Sequence, residues 1–403
     1  MSDSRGTAPI SFLLVCHSYP PVIGGSELEA QRVCSALIRR GYRITVVCAG
    51  GHPMPPLRDW IDPEGVNVRI YAGRWKGSLK DIVFALRVSG MIIREQRNYQ
   101  FVYFLMQGLH LAAGLPTVRF LGKPILMKIA GSGVVPLMTR SFLGRLELRW
   151  LRKWAYRIMI LNDGMREEAM AEGFAAQQLY WMPNPVDTDN FAPRGDRERM
   201  ELRRKFGIPT DSPTVLYCGR LAEGKALPEL IDAFAIVAQQ VPEALLVIVG
   251  DGPLRPKLTK QAKRLHLKEN KLLFVGQVSP TEVRDWLTIA DVFSLVSYSE
   301  GFPCALAEAM STGLPCVVSD IPAIRQLIDD GNHGFLTPVG DRESISRAIV
   351  QLLKNDALRS RMGEAARTRI VDNYSIGKVT DLYEGLFRQM LSESRPQSRK
   401  MRS

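Results

Sequence analysis

Outside Asp187-Thr188-Asp189, which falls in a stretch broken by prolines, the chain has no Asp-x-Asp, and none of its six cysteines sits in a Cys-x-x-Cys. The first shortage leaves no carboxylate pair placed to hold a divalent cation beside a diphosphate, so no metal and no resident cofactor are expected. The second argues against both a disulfide scaffold and a zinc site: Cys16, Cys34, Cys48, Cys218, Cys304 and Cys316 lie singly in or beside apolar runs, which suits a reducing cytosol. No Gly-x-Gly-x-x-Gly follows the first hydrophobic run, which disfavours a nicotinamide dehydrogenase. Long apolar runs are missing too. The nearest, Phe101 to Leu115, is interrupted by Gln107, Gly108 and His110, and roughly 20 apolar residues are needed to cross a bilayer, so it reads as a buried strand followed by a helix. The polar start, Met1 to Pro9, has no signal-peptide pattern, and a cytoplasmic location is the expectation.

What is present is an ordinary globular composition, 46% apolar and 23% charged over 403 residues. At roughly 100 to 200 residues per domain, that length points to two domains. The formal charge of +12 favours anionic partners such as phosphorylated small molecules or acidic lipid headgroups. Nucleic acid is not expected, since no nucleic-acid-binding motif occurs.

Short aliphatic runs alternate with longer amphipathic segments: Ile10 to Cys16, Ser26 to Arg40, Arg43 to Cys48, Leu79 to Arg97, Phe101 to Leu105 and Pro124 to Ala130. A second series begins at Thr214 to Cys218 and runs to Cys316 to Val318. Such alternation predicts parallel sheet with crossover helices, twice over. Between the series, Pro183 and Pro185 can continue neither a helix nor a central strand, which puts a linker at about 183 to 195. Asp341 to Leu391 reads as successive helices, and 392–403 as a disordered basic tail.

The sharpest segment is Glu300-Gly301-Phe302-Pro303-Cys304-Ala305-Leu306-Ala307-Glu308, which follows a hydrophobic strand and has a proline where a helix would begin. Five helical steps from Pro303 to Glu308 span roughly 7.5 Å, comparable to the reach from a sugar across a diphosphate to a ribose. Two carboxylates would bracket one nucleotide sugar, with free helix amides between them for phosphate oxygens. Arg220 and Lys225 follow another strand and could stabilise a departing diphosphate. Pro20-Pro21-Val22-Ile23-Gly24-Gly25-Ser26-Glu27 reads either as a plain strand-to-helix turn or as a loop whose glycines let a ligand approach the backbone. Gly250-Asp251-Gly252 reads equally as a tight turn.

Together these residues resemble the retaining glycosyltransferases of family four, and the resemblance extends over nearly the whole chain. It also takes in Gly219-Arg220-Leu221 with Lys225, Val249 to Leu254, Phe274-Val275-Gly276, Gly313-Leu314-Pro315, and Pro183-Asn184 with Val186-Asp187. The resemblance implies an α/β fold of GT-B type, with two Rossmann-like doubly wound domains facing a central cleft. These would span 1–186 for the acceptor and 195–374 for the donor, with a helix at about 375–391 packing back on the first. It implies that Glu300 contacts the transferred sugar and Glu308 the ribose, that Arg220 and Lys225 grip the diphosphate, and that Gly24, Gly25, Gly301, Phe302, Pro303, Cys304 and Leu306 line the donor site. The co-substrate would be a nucleotide diphosphate sugar, and the acceptor a lipid-linked or other cell-envelope glycan precursor.

One departure is plain: Ala130 stands where many relatives carry a histidine near the sugar. Ser132 or His110 could supply that contact instead, or activity could be lost, leaving a silent partner subunit. An epimerase acting on nucleotide sugars is the other alternative. Finally, Arg119, Lys123, Lys128, Arg140, Arg145, Arg149, Arg152, Lys153 and Arg157 are opposed almost solely by Glu147 and interleave with Leu143, Leu146, Leu148, Trp150, Leu151 and Trp154. This pattern fits a helix lying on an anionic membrane and, equally, a core-facing stripe beneath solvated arginines.

Overall fold

A computed structural model describes residues 9–20, 25–50, 59–70, 77–129, 131–268 and 270–394. Gly24, Ala130 and the end of the basic tail, 395–403, lie outside the described residues. The chain forms two compact units, one comprising Met1–Pro185 with Ile376–Ser403 and the other Val186–Ser375.

The first unit holds β1 (Ser11–Cys16), β2 (Arg43–Cys48), β3 (Asp59–Ile61), β4 (Asn67–Ile70), β5 (Phe101–Leu105), β6 (Ile125–Lys128), β7 (Arg157–Ile160) and β8 (Leu179–Trp181). They pair in the order β3-β4-β2-β1-β5-β6-β7-β8, parallel except for β3 against β4. β1 and β5 are buried almost throughout, as strands covered by helices on both faces must be. The chain's last helix, Ile376–Glu393, belongs to this core and runs two residues past the expected 391. Val379, Tyr383, Leu386, Phe387 and Met390 recur at helical spacing and are fully buried. The Phe387 ring lies 4.8 Å from that of Phe101 and 5.2 Å from that of Phe12.

The second unit contains β9 (Thr214–Cys218), β10 (Leu245–Val249), β11 (Leu272–Gly276), β12 (Val292–Leu295), β13 (Cys316–Ser319) and β14 (Gly334–Thr337). They form one parallel sheet ordered β11-β10-β9-β12-β13-β14, the doubly wound arrangement. The order reverses direction between β9 and β12, which opens a crevice at their carboxyl ends. In the first unit the same reversal falls between β1 and β5.

The linker expectation needs refining. Residues 186–195 are not a free linker: the Val186 amide donates to the Tyr374 carbonyl at 2.8 Å, Phe191 is buried, and Ser311 Oγ donates to the Phe191 carbonyl at 2.8 Å. The charged run after them is a helix, Asp196–Lys205. It has no apolar stripe, but the buried Arg203 guanidinium donates to the carbonyls of Ile289, Thr210 and Ser212 and to Thr214 Oγ, which ties the helix to the sheet.

Candidate active site

The crevice between β9 and β12 gathers the residues singled out in the second unit. After β9 the chain turns through Arg220 and back at Lys225, and this turn is laced to the loop after β12. The Ala226 amide donates to the Val296 carbonyl at 3.1 Å, and the Tyr298 amide to the Gly224 carbonyl at 3.0 Å. That pairing sets Lys225 Nζ on Glu300 Oε1, which also accepts from Ser297 Oγ at 2.7 Å. Both partners are largely shielded, with 22% of the Lys225 side chain and 11% of the Glu300 side chain exposed. Arg220 is exposed, with no ion-pair partner among the described residues, and its carbonyl accepts from Tyr217 Oη at 3.2 Å. The loop beside it explains Gly250: a Cβ there would lie 2.0 Å from the Gly219 carbonyl oxygen, and its φ of 126° favours glycine. Close backbone approach, not a tight turn alone, accounts for Gly250.

Pro303 caps the helix Cys304–Ser311, whose alanines, leucine and methionine are good helix formers. It stops at Gly313, which takes the left-handed conformation at φ 79° before Pro315. Its first regular bond runs from the Ala307 amide to the Pro303 carbonyl, and the Cys304 amide is taken by the Phe302 carbonyl. The amides of Ala305 and Leu306 have no acceptor among the described residues and are available to an anion. Burial raises the Cys218 thiol to about 12, with the nearby Glu308 carboxylate adding to it. Burial likewise raises the Tyr217 phenol, and Glu300 adds to that shift. Both glutamates therefore act on the last residues of β9.

Some predicted contacts are placed differently. The Leu306 side chain is fully buried, so only its amide remains on offer. The Phe302 ring packs against Tyr374 at 5.9 Å, Gly301 and Cys304 are partly exposed, and Pro303 is buried. Gly25 opens the helix Gly25–Arg39, the first helix after β1. Ser132 lies beyond β6, where Asn162 Nδ2 donates to its hydroxyl at 3.4 Å. His110 is a core residue: it is 3% exposed, lies 5.5 Å from the Phe84 ring, and is pushed down to about 4 by burial, so it is neutral and shut off from a sugar. Asp187 accepts from the Asn190 amide at 3.1 Å, closing a turn.

The basic surface also needs revision. Lys128 is fully buried and paired with Glu29, Glu147 is 3% exposed, and Leu148 and Leu151 face the core. On the helix Phe142–Trp154 the outer face is Arg145, Arg149, Arg152 and Lys153. Sequence reasoning missed Ser297 and the pair made by His17 Nε2 and Asp81 Oδ1 at 2.9 Å, which stands beyond β1 at the first unit's crevice. Neither belongs to a motif, and only the fold brings them into place. Among the described residues no helix is long and apolar enough to cross a membrane, and no group of three or more side chains comes together as a metal site. All six cysteines are free thiols.

Comparison with known proteins agrees with the two-unit fold. The profile of Glycosyl transferases group 1 matches residues 198–369, and that of a Glycosyl transferase 4-like domain matches residues 24–185. The N-acetyl-alpha-D-glucosaminyl L-malate synthase of Bacillus anthracis is 30% identical over 381 residues, covering 93% of this chain and 96% of that protein. An Escherichia coli UDP-Gal:alpha-D-GlcNAc-diphosphoundecaprenol alpha-1,3-galactosyltransferase is 26% identical, covering 92% and 95%. Among solved structures, HepE of Anabaena in complex with UDP and glucose superposes with a TM-score of 0.78 at 19% identity, covering 94% of this chain and all of that one, a likeness of fold.

Proposed function

The chain belongs to the group 1 glycosyltransferases of GT-B type, and from that premise we propose that it transfers a sugar from a nucleotide diphosphate donor with retention of configuration and without a metal, to a lipid-linked or other cell-envelope glycan precursor. One observation carries the reading. The crevice of the second unit's sheet, where open α/β sheets bind ligands, holds the Lys225–Glu300 pair, the exposed Arg220 and the open amides of Ala305 and Leu306. In this reading Glu300 orients the sugar and Glu308 takes the ribose hydroxyls. The bond from the anomeric carbon to the phosphate oxygen breaks and its electron pair stays on the diphosphate, where Arg220, Lys225 and the helix amides stabilise it. The acceptor oxygen bonds to the same face of the sugar and its proton passes to a phosphate oxygen. The metal's usual part, neutralising the leaving group, falls to these cations.

The first unit would receive the acceptor. A lipid-borne acceptor is supported by two relatives, the diphosphoundecaprenol galactosyltransferase and a phosphatidyl-myo-inositol mannosyltransferase of Mycobacterium leprae that is 28% identical over 353 residues. The protein would then work at the cytoplasmic face of a membrane. The test is turnover of uridine, guanosine and adenosine diphosphate sugars in chelator, following both released nucleotide and the sugar itself. The uridine series comes first because HepE was solved with UDP. Release of one nucleotide supports the transferase. A changed sugar without an acceptor would instead mark an epimerase. Neither event, from a folded protein that no nucleotide stabilises, would favour a silent partner, the reading that Ala130 motivates.

A further inference from the structure

The helix Gly77–Arg94 is apolar on both sides. Its inner side, Phe84, Ala85, Val88, Met91 and Ile92, is buried, and the helix packs against the neighbouring helix Leu109–Phe120. Its outer side carries Leu79, Ile82, Leu86 and Ile93, which are 50%, 48%, 72% and 48% exposed. The spacings of three, four and seven residues align them in one stripe along the helix. Scattered exposed leucines need no explanation, but a continuous apolar stripe on a helix whose other face is already buried marks an interaction surface.

The charges beside the stripe select the partner. Arg87, Arg94 and Arg97 are exposed along it, and Arg94 is 80% exposed. Of the acidic groups nearby, Asp81 holds His17, and Glu95 holds Arg69 and Asn98 and also lies 3.5 Å from Arg94 Nε, so the arginines outnumber the carboxylates along this face. A second copy of this helix packed antiparallel about Leu86 would set Arg87 against Arg87, a like-charge contact that disfavours self-association. An anionic bilayer satisfies both features, taking the leucines and isoleucines below the headgroups and the arginines among them. Beyond the helix Leu109–Phe120 lies the helix Phe142–Trp154, whose outer face is basic and which also packs against it.

We infer that the helix Gly77–Arg94 is the membrane-docking element of this protein, its Leu79–Ile82–Leu86–Ile93 stripe entering the headgroup layer of an anionic bilayer while the arginines of Phe142–Trp154 supply long-range attraction. The inference goes beyond the transferase reading and rests on it only for the source of the lipid. Asp81, near the start of the same helix, faces His17 at the sheet's crevice. The helix that meets the lipid therefore also borders the place where an acceptor would arrive.

The experiment is co-sedimentation of the full chain with phosphatidylglycerol–phosphatidylcholine vesicles and with pure phosphatidylcholine vesicles. Binding to the anionic vesicles alone is expected. Ile82→Ser with Leu86→Ser should lower the partition coefficient about tenfold or more at every salt concentration, because two buried aliphatic side chains are lost. Neutralising Arg145, Arg149 and Arg152 should instead weaken binding mainly at low salt. A Leu86→Trp variant should shift its emission to the blue on adding anionic vesicles. Binding unchanged in the Ile82/Leu86 variant would overturn the inference, as would wild-type protein that stays in the supernatant. Light scattering that shows a dimer dissociated by the same substitutions would assign the stripe to a second copy. The positions are solvent-exposed, so circular dichroism should show an intact fold, and no sugar donor enters the assay, so failure here leaves the transferase reading untouched.

Discussion

Lys225 and Glu300 stand 75 positions apart in the chain and meet side chain to side chain where β9 and β12 diverge. Ser297 completes the contact, so the carboxylate expected to face the sugar is held by a cation expected to face the phosphates. In the proposed mechanism, donor orientation and leaving-group stabilisation would be coupled through that pair.

Replacing Arg220 and Lys225 together by alanine should lower turnover by about a thousandfold or more, the scale on which preorganised charge at a leaving group acts. Steady-state nucleotide release measures this, and thermal melting guards against loss of fold. Turnover left near the wild-type rate would remove both residues from the mechanism.

Donor turnover should be the same in chelator as in added magnesium or manganese. The product's anomeric coupling in a proton spectrum should match that of the donor. Inversion, or activity restored only by metal, would require a different arrangement of the leaving group from the one proposed.

In the first unit, Lys128 is fully buried and its ammonium donates to Glu29, to Asn184 Oδ1 at 3.0 Å and to Tyr383 Oη at 3.4 Å. This network joins β6 and the first helix to the two places where the chain leaves and re-enters the unit. Lys128→Met or Glu29→Gln should each cost about 3–5 kcal/mol in urea denaturation, because the remaining group is stranded in the core. Changing both to apolar residues should recover part of that loss, and a strictly additive double variant would argue against coupling.

Burial pushes the Glu147 carboxyl up to about 7, and its Oε1 has no hydrogen-bond partner among the described residues. Between the unfolded value near 4.5 and the folded value near 7, the folded protein keeps a proton that the unfolded chain releases. Stability from this group therefore falls as pH rises through that window and stays low above it. Glu147→Gln should stabilise the protein by roughly 1–3 kcal/mol at pH 8 and change little at pH 5. Equal effects at both pH values would show that the carboxyl does not titrate in that range.

The sequence by itself determined the two doubly wound halves and the helix that follows Glu300. Alternating buried strands and amphipathic helices leave periodic patterns, and a capping proline with good helix formers acts over a single turn. It determined less about polar residues, whose fate depends on partners far along the chain. Lys128 reads as part of a basic surface until Glu29, 99 residues away, draws it into the core. Arg203 makes a helix out of a run with no apolar stripe, using carbonyls on neighbouring segments. His110 reads as a site residue until burial under Phe84 removes it. Leu148 and Leu151 turn inward while Leu79, Ile82, Leu86 and Ile93 turn out, although both helices carry the same kinds of side chain. The choice between them belongs to tertiary structure, because a helix face is apolar wherever it is written but buried only where another element covers it.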